Sequence, residues 1–258
     1  MPTVYLMSYQ FHATLFCIAF TVALVACVSN SKNRDEAELH LRMGTGYLQE
    51  GNYPSALREL LLAEQLDPSN TMVQNNLGLA YFFRDRFELA AEHLKKAISL
   101  DSKFTEARNN YARVLIELTR YDQAISELKI VLDDLTYNEP AKAWVNMGLA
   151  YFQRGDFKTA RDRFASAIQN NRNHCLAHTL YGRSLLELGE LQTAATALDS
   201  AVVVCRPSKY DEPHYFSGLT YYKLGRTSSA IARMEEVVKL YPEGRYAKKA
   251  ESMLKLMK

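Results

Sequence analysis

Hydrophobic and polar positions along this chain recur every 34 residues from about residue 37 onward. In each 34-residue window a small residue stands at position 8, a bulky one at 11, Ala at 20, a large apolar one at 24 and a small or aliphatic one at 27. The first window reads Gly44, Tyr47, Ala56, Leu60 and Ala63; the fourth reads Gly148, Tyr151, Ala160, Phe164 and Ala167. Within each half of a window the apolar residues fall at helical spacing, so every window predicts two amphipathic helices packed antiparallel. Gly51, Gly155, Gly189 and Gly225 fall at position 15, where a left-handed residue ends the first helix. Six windows fit, at 37–70, 71–104, 105–138, 141–174, 175–208 and 211–244, with two-residue insertions after the third and fifth. Residues 245–258 alternate cationic and apolar groups and are expected to form a solvating C-terminal helix, as the open end of an array requires.

This is the tetratricopeptide pattern, and AKAWVNMGLAYFQRGDFKTA (141–160) matches it almost throughout. The expected fold is all-α, a right-handed superhelical solenoid of six repeats plus a capping helix. Arrays of this kind expose positions 2, 5, 9, 12 and 13 of the first helices as a concave groove. The residues expected there are Leu41, Leu48, Met72, Asn75, Leu79, Phe82, Phe83, Asn109, Arg113, Val145, Leu149, Phe152, Tyr215, Leu219 and Tyr222, interleaved with Arg183, Leu186 and Glu117. An aromatic and aliphatic face suits an amphipathic helix or apolar strand from a protein partner. About a third of these side chains are expected to pack against adjacent helices instead.

The N-terminal region has a different character. No Asp, Glu, Lys or Arg occurs before Lys32, and Ala13–Ala26 is an apolar run of 14 residues. A bilayer span needs roughly 20 such residues, so the run reads as the core of a signal peptide, residues 1–26. It ends in LVAC, which resembles a bacterial lipobox and implies lipidation of Cys27. The absence of a basic residue before the run departs from that pattern, and an ordinary cleaved signal or an uncleaved anchor is the competing reading. Val28 stands where an Asp would resemble an inner-membrane retention signal, which favours the outer membrane. Residues 27–36 are expected to be the lipidated N-terminus and a flexible tether.

Composition narrows the chemistry. With 48% hydrophobic and 23% charged residues the chain has ample material for a core, which excludes a disordered class. A net charge of +2 without long blocks of either sign offers no basic field for nucleic acid. There is no Gly-rich phosphate loop, nucleophile elbow or HExxH, so no catalytic residue, cofactor, metal or small-molecule substrate is expected. His174, Cys175 and His178, with Cys205, allow two readings: a metal site, or a Cys175–Cys205 disulfide stapling the two ends of the fifth repeat. An oxidising compartment favours the disulfide.

A further likeness lies in repeats three and four. They read ARNNYARVL, TRYDQAISEL, Leu132 and Asp133, then YNEPAKAWVNMGL, an order that resembles the type IV pilus pilotin family. The resemblance is strongest from about Asn75 to Asn173. It implies an outer-membrane lipoprotein on the periplasmic face that binds secretin subunits and promotes assembly of the pore through which the pilus passes. The Cys175 and Cys205 pair also resembles one branch of that family. Scaffolds for β-barrel assembly, Tad-type secretion or peptidoglycan-enzyme docking are the alternatives that the repeats alone leave open.

Overall fold

A computed structural model describes residues 33–257. Among the described residues there are thirteen α-helices and no strand. Helix α1 spans 33–49, followed by α2 (Tyr53–Leu66), α3 (Thr71–Phe82) and α4 (Phe87–Leu100). Then come α5 (Thr105–Glu117), α6 (Tyr121–Asp133), α7 (Pro140–Gln153), α8 (Phe157–Asn170) and α9 (Cys175–Glu187). The chain finishes with α10 (Leu191–Cys205), a short 3-10 turn at Arg206–Ser208, α11 (Glu212–Lys223), α12 (Thr227–Leu240) and α13 (Ala247–Met257). The helices pair as the 34-residue pattern requires. They fall into two compact units, one ending at Lys103 with repeats one and two, the other starting at Phe104 with repeats three to six and α13.

The small residue at position 8 explains why the two helices of a repeat lie so close. A Cβ placed on Gly44 would sit 2.6 Å from Leu60 Cγ, on Gly78 2.4 Å from Leu94 Cγ, and on Gly182 2.6 Å from Leu198 Cγ. On Gly148 it would lie 2.5 Å from the Phe164 ring. Each glycine is therefore the hole into which the residue at position 24 inserts, and Leu60, Leu94, Phe164, Leu198 and Met234 are all fully buried. In the third repeat Ala112 and Leu128 take these places, also fully buried. Alanines at position 20 (Ala56, Ala90, Ala124, Ala160, Ala194, Ala230) line the same layer at 0% exposure.

The first helix of every repeat ends in the same way. At Gly155, φ is +89°; its N–H donates to Phe152 O (3.0 Å), and Asp156 N–H reaches back to Tyr151 O (2.9 Å). This is a Schellman termination, satisfying carbonyls that the helix end leaves free. Gly51, Gly189 and Gly225 do likewise, as the sequence predicts. Asp85 (φ +56°) and Thr119 (φ +58°) hold the same position in repeats two and three. A β-branched residue in this conformation carries strain that glycine does not. The link to the next repeat is also built locally: Asp67, Asp101, Asp134 and Asn171 each accept from a backbone N–H two residues on, at 2.9 to 3.1 Å.

One boundary differs from expectation. Part of the stretch read as a tether, 27–36, is helical, because residues 33–36 already belong to α1. Asp35 and Glu36 are exposed on it, and Ala37 is buried one residue later. Pro140, read as part of an insertion, opens α7 at a position where its missing N–H costs nothing. The capping helix forms two residues later than expected, with Ala247 and Ala250 buried against the array.

Two substitutions test this account in opposite directions. Gly148→Ala forces a methyl into the Phe164 ring and is expected to destabilise by about 1–3 kcal/mol, the usual cost of overpacking. Thr119→Gly relieves left-handed strain at an exposed site and is expected to stabilise by about 1 kcal/mol after the entropy of the unfolded chain is counted. Urea unfolding followed by far-UV circular dichroism reads both; a neutral Gly148→Ala would mean that position 8 does not set the helix spacing.

Candidate protein-binding face

The first helices of the repeats carry the residues expected to face a partner, and the structure sorts them by position. Position 5 is an interior position. Leu41 (7% exposed), Asn75 (2%), Asn109 (4%) and Val145 (4%) are all buried, so these four expected groove residues are not on an accessible surface. The reason is packing between neighbouring first helices. Leu41 joins the core with Ala56 and Leu60, and Val145 packs with Phe164, Ala177 and Leu180. Asn109 accepts a hydrogen bond from Asn146 Nδ2 of the next first helix at 3.0 Å, and Asn75 donates to Asn76 Oδ1, also at 3.0 Å. In the sixth repeat the equivalent Tyr215 is half-buried, stacked on Tyr246 at 4.7 Å between ring centres.

Positions 9, 12 and 13 are more open, except that Leu186, also expected in the groove, is 4% exposed and packs in the core with Leu185 and Ala194. In the first unit Leu48, Leu79 and Phe82 are half-buried, whereas Met72 (44%) and Phe83 (49%) are exposed. Phe83 is held rather than free. It stacks on Tyr53 of α2 at 4.8 Å and 9° between planes, and meets Phe82 edge-on at 5.5 Å; Phe82 in turn lies 5.8 Å from Phe87. Four rings from α2, α3 and α4 thus form a rigid apolar cluster with one face open. Such clusters lose little conformational entropy when a partner covers them.

In the second unit Leu149, Phe152 and Leu219 are half-buried and Tyr222 is 45% exposed. Phe152 meets Phe157 edge-on at 5.1 Å, repeating the pairing of Phe82 with Phe87 one unit earlier in the sequence. Arg113 is neutralised within its own helix by Glu117, Nη1 to Oε1 at 2.8 Å. Arg183 is the more constrained cation. Its guanidinium carbon lies 5.0 Å from the Phe152 ring centre and 4.4 Å from that of Phe216, while Nη1 donates to Glu212 Oε1 at 2.6 Å. Glu212 is 3% exposed and also accepts from the Tyr210 hydroxyl. Burial first, then that hydrogen bond, push the Tyr210 pKa well above the usual tyrosine value. Arg113 and Arg183 of the second unit are therefore each matched by an acid of the same chain.

The sequence pattern does not identify Tyr53, Phe216, Glu212, Tyr210 or Tyr246 as parts of this face. The one available signal is an Arg at position 9 of repeat five followed by an acid at position 2 of repeat six. At the other candidate site Cys175 and Cys205 form a disulfide with their Cα atoms 4.8 Å apart. His174 Nδ1 accepts from Ala177 N–H at 3.3 Å as a helix cap, and His178 Nε2 lies 2.9 Å from Arg172 O. Among the described residues no cluster of His, Cys, Asp or Glu is arranged to hold a metal, so the disulfide reading replaces the metal one. Cys27 and the signal segment lie outside the described residues.

Comparison with known proteins agrees with this architecture. The tetratricopeptide repeat family is matched over 41–103 and 145–210, with further repeat matches over 84–150 and 217–244. The type IV pilus assembly protein PilF of Pseudomonas aeruginosa is 32% identical over 170 residues, covering 62% of this chain and 67% of PilF. The chain belongs to the tetratricopeptide-repeat proteins of type IV pilus biogenesis. The solved structure of Pseudomonas aeruginosa PilF superposes with a TM-score of 0.70 at 24% identity, over 85% of this chain and 99% of that one. That of PilW, described as a widely conserved type IV pilus biogenesis factor, gives 0.75 at 18% identity over 83% and 97%. A STIP1 homolog of Dictyostelium discoideum is 25% identical over 175 residues, but the match spans only 29% of its length and concerns the repeats. These pilus biogenesis proteins share the fold of this chain.

Removing Arg183 leaves Glu212 as a buried, unpaired carboxylate. Arg183→Ala is expected to destabilise by about 2–4 kcal/mol, somewhat less than a fully buried pair because Arg183 keeps some exposure. Adding Glu212→Gln to Arg183→Ala should recover part of that loss. A double-mutant cycle by urea unfolding measures it, and strictly additive effects would show that the two side chains are not coupled.

Proposed function

We propose that this pilus biogenesis protein is a lipid-anchored pilotin on the periplasmic face of the outer membrane, binding secretin subunits and promoting their targeting and assembly. The observation that carries the reading is the preformed ring cluster of Tyr53, Phe82, Phe83 and Phe87, on which Phe83 is 49% exposed. In the second unit, by itself, the pairing of Arg113 with Glu117 and of Arg183 with Glu212 favours an uncharged, apolar segment over a charged peptide terminus. Secretin subunits in transit expose such segments before they assemble, and a scaffold that covers them keeps them from aggregating. LVAC at residues 24–27 supports lipid attachment at Cys27, and the several acyl chains of a lipoprotein hold a protein firmly where one chain would not. Kinship with the type IV pilus assembly protein PilF supports a role in pilus assembly.

Two experiments test the parts separately. Cys27→Ala is expected to abolish metabolic palmitate labelling and to release the protein from outer-membrane fractions; unchanged labelling would remove the anchor from the account. Phe82→Ala and Phe152→Ala are each expected to weaken partner binding by about 2 kcal/mol, the range of large side chains desolvated at an interface. Secretin multimers on gels should fall while helicity and membrane localisation persist. Lys95→Glu on a second helix should leave multimers intact. Normal multimers and pilus-dependent movement in both phenylalanine variants would place the working surface elsewhere.

A further inference from the structure

The first and last described helices, α1 and α13, carry opposite charge on their exposed sides. In the interior, positions 3 and 10 of a first helix are covered by the preceding pair: Val73 and Ala80, Ala143 and Ala150, and Ala177 and Ser184 are essentially fully buried. On α1 the same stripe is open. Leu39 is 49% and Met43 41% exposed, and a Cβ on Gly46 would have nothing within 4 Å. Leu39, Met43 and Gly46 follow one another at helical spacing, so they form an apolar seam with a small residue that permits close helix approach. Around it α1 and its C-terminal turn bear the exposed acids Asp35, Glu36, Glu38 and Glu50, against Arg34 and Arg42.

At the other end α13 covers α12 with Ala250, Met253 and Leu254, and its outer side is basic. Lys248, Lys249 and Lys255 are exposed there, against the single acid Glu251 of that helix, and Leu256 stands among them 75% exposed. No ion pair among the described residues engages these lysines or the acids of α1. One end thus presents apolar side chains in an acidic setting, and the other an apolar side chain in a basic one.

We propose that these two faces bind each other between copies of the chain, α13 of one copy docking on the Leu39–Met43–Gly46 seam of the next. Charge complementarity selects this occupant. A symmetric pairing of two α1 seams would set acids against acids, and two α13 faces would set lysines against lysines. One helix face of this length covers on the order of 300 Å², below the roughly 800 Å² per partner of a stable complex, so the contact is transient in dilute solution. Copies concentrated at one surface gain effective concentration, which is where a contact of this size becomes populated. The inference is independent of the secretin reading and can fail without it.

Site-directed cross-linking of the full chain in cells tests it. Cells co-express one chain carrying Met43→Cys and another carrying Leu256→Cys, so any new disulfide must join two copies. A dimer band on non-reducing gels is expected for this pair and not when Leu135→Cys, at a 97% exposed loop residue, replaces Leu256→Cys. Adding Lys248→Glu, Lys249→Glu and Lys255→Glu to the second chain should lower the band roughly tenfold or more. Adding Glu36→Lys and Glu38→Lys to the first chain should then restore it. Absence of the band, an equal band with Leu135→Cys, or no recovery on charge exchange would overturn the proposal. So would a stronger band from Met43→Cys with itself, or Met43→Cys captured on a protein of different size, which would assign the seam to a symmetric or a foreign partner.

Discussion

Everything in this fold depends on how close the two helices of a repeat can come, and that distance is set by a missing side chain. At Gly44, Gly78, Gly148 and Gly182 the residue at position 24 occupies the space a Cβ would need. Because the large residue rests on backbone, its own side chain is fully desolvated, and dispersion contacts are made on all sides. Once that spacing is fixed, the alanines at position 20 are the right size for the remaining layer, and a larger residue there would push the pair apart. The left-handed ends of the first helices follow from the same geometry: a close antiparallel partner demands a short turn, and the Schellman bonds at Gly51, Gly155, Gly189 and Gly225 make one without leaving carbonyls unpaired. Repeat three departs at both points, with Ala112 for glycine and Thr119 in the turn. It still folds as a repeat because the next repeat shares its core, with Ala112, Leu115 and Leu128 packed in one cluster with Ala143 and Met147.

Most of this architecture is legible in the sequence because each of its rules acts within 34 residues. Small, bulky and left-handed positions repeat in register, and six concordant copies average out the exceptions. The binding face is less legible, since it depends on contacts between repeats. Position 5 looks like a surface position when a first helix is considered by itself, yet Leu41, Asn75, Asn109 and Val145 are buried. The Asn109–Asn146 bond shows why for one of them: the two buried amides pair across adjacent first helices. Arg183 is misleading in the opposite sense. A cation on the first-helix face suggests an anionic ligand, but the rings of Phe152 and Phe216 and the carboxylate of Glu212 already occupy it. No local motif connects position 9 of one repeat with positions 2 and 6 of the next, so only the folded chain reveals that pairing.

That internal pairing has a consequence for selectivity. An unpaired arginine on this face would attract any acidic peptide, and an unpaired glutamate any basic one. With Arg113 tied to Glu117 and Arg183 to Glu212, a charged segment gains no partner and loses its water. An apolar segment has no such penalty, and the stacked Tyr53, Phe82 and Phe83 rings offer it a surface already in place.

The ends of the array obey a different constraint from its middle. An interior repeat is covered on both sides by copies of itself, so its apolar stripes can be optimised for packing alone. A terminal stripe has no such neighbour and must be either made polar or covered. At the C-terminal end α13 does both, burying Ala250 inward and turning lysines outward. At the N-terminal end Leu39 and Met43 keep interior character without interior cover. A residue pattern that would be routine at Val73 or Ala143 becomes, at α1, a surface in need of a partner, and the acids beside it restrict which partner that can be. Function at such a site does not require a new motif. It follows from ending a periodic structure without ending its period.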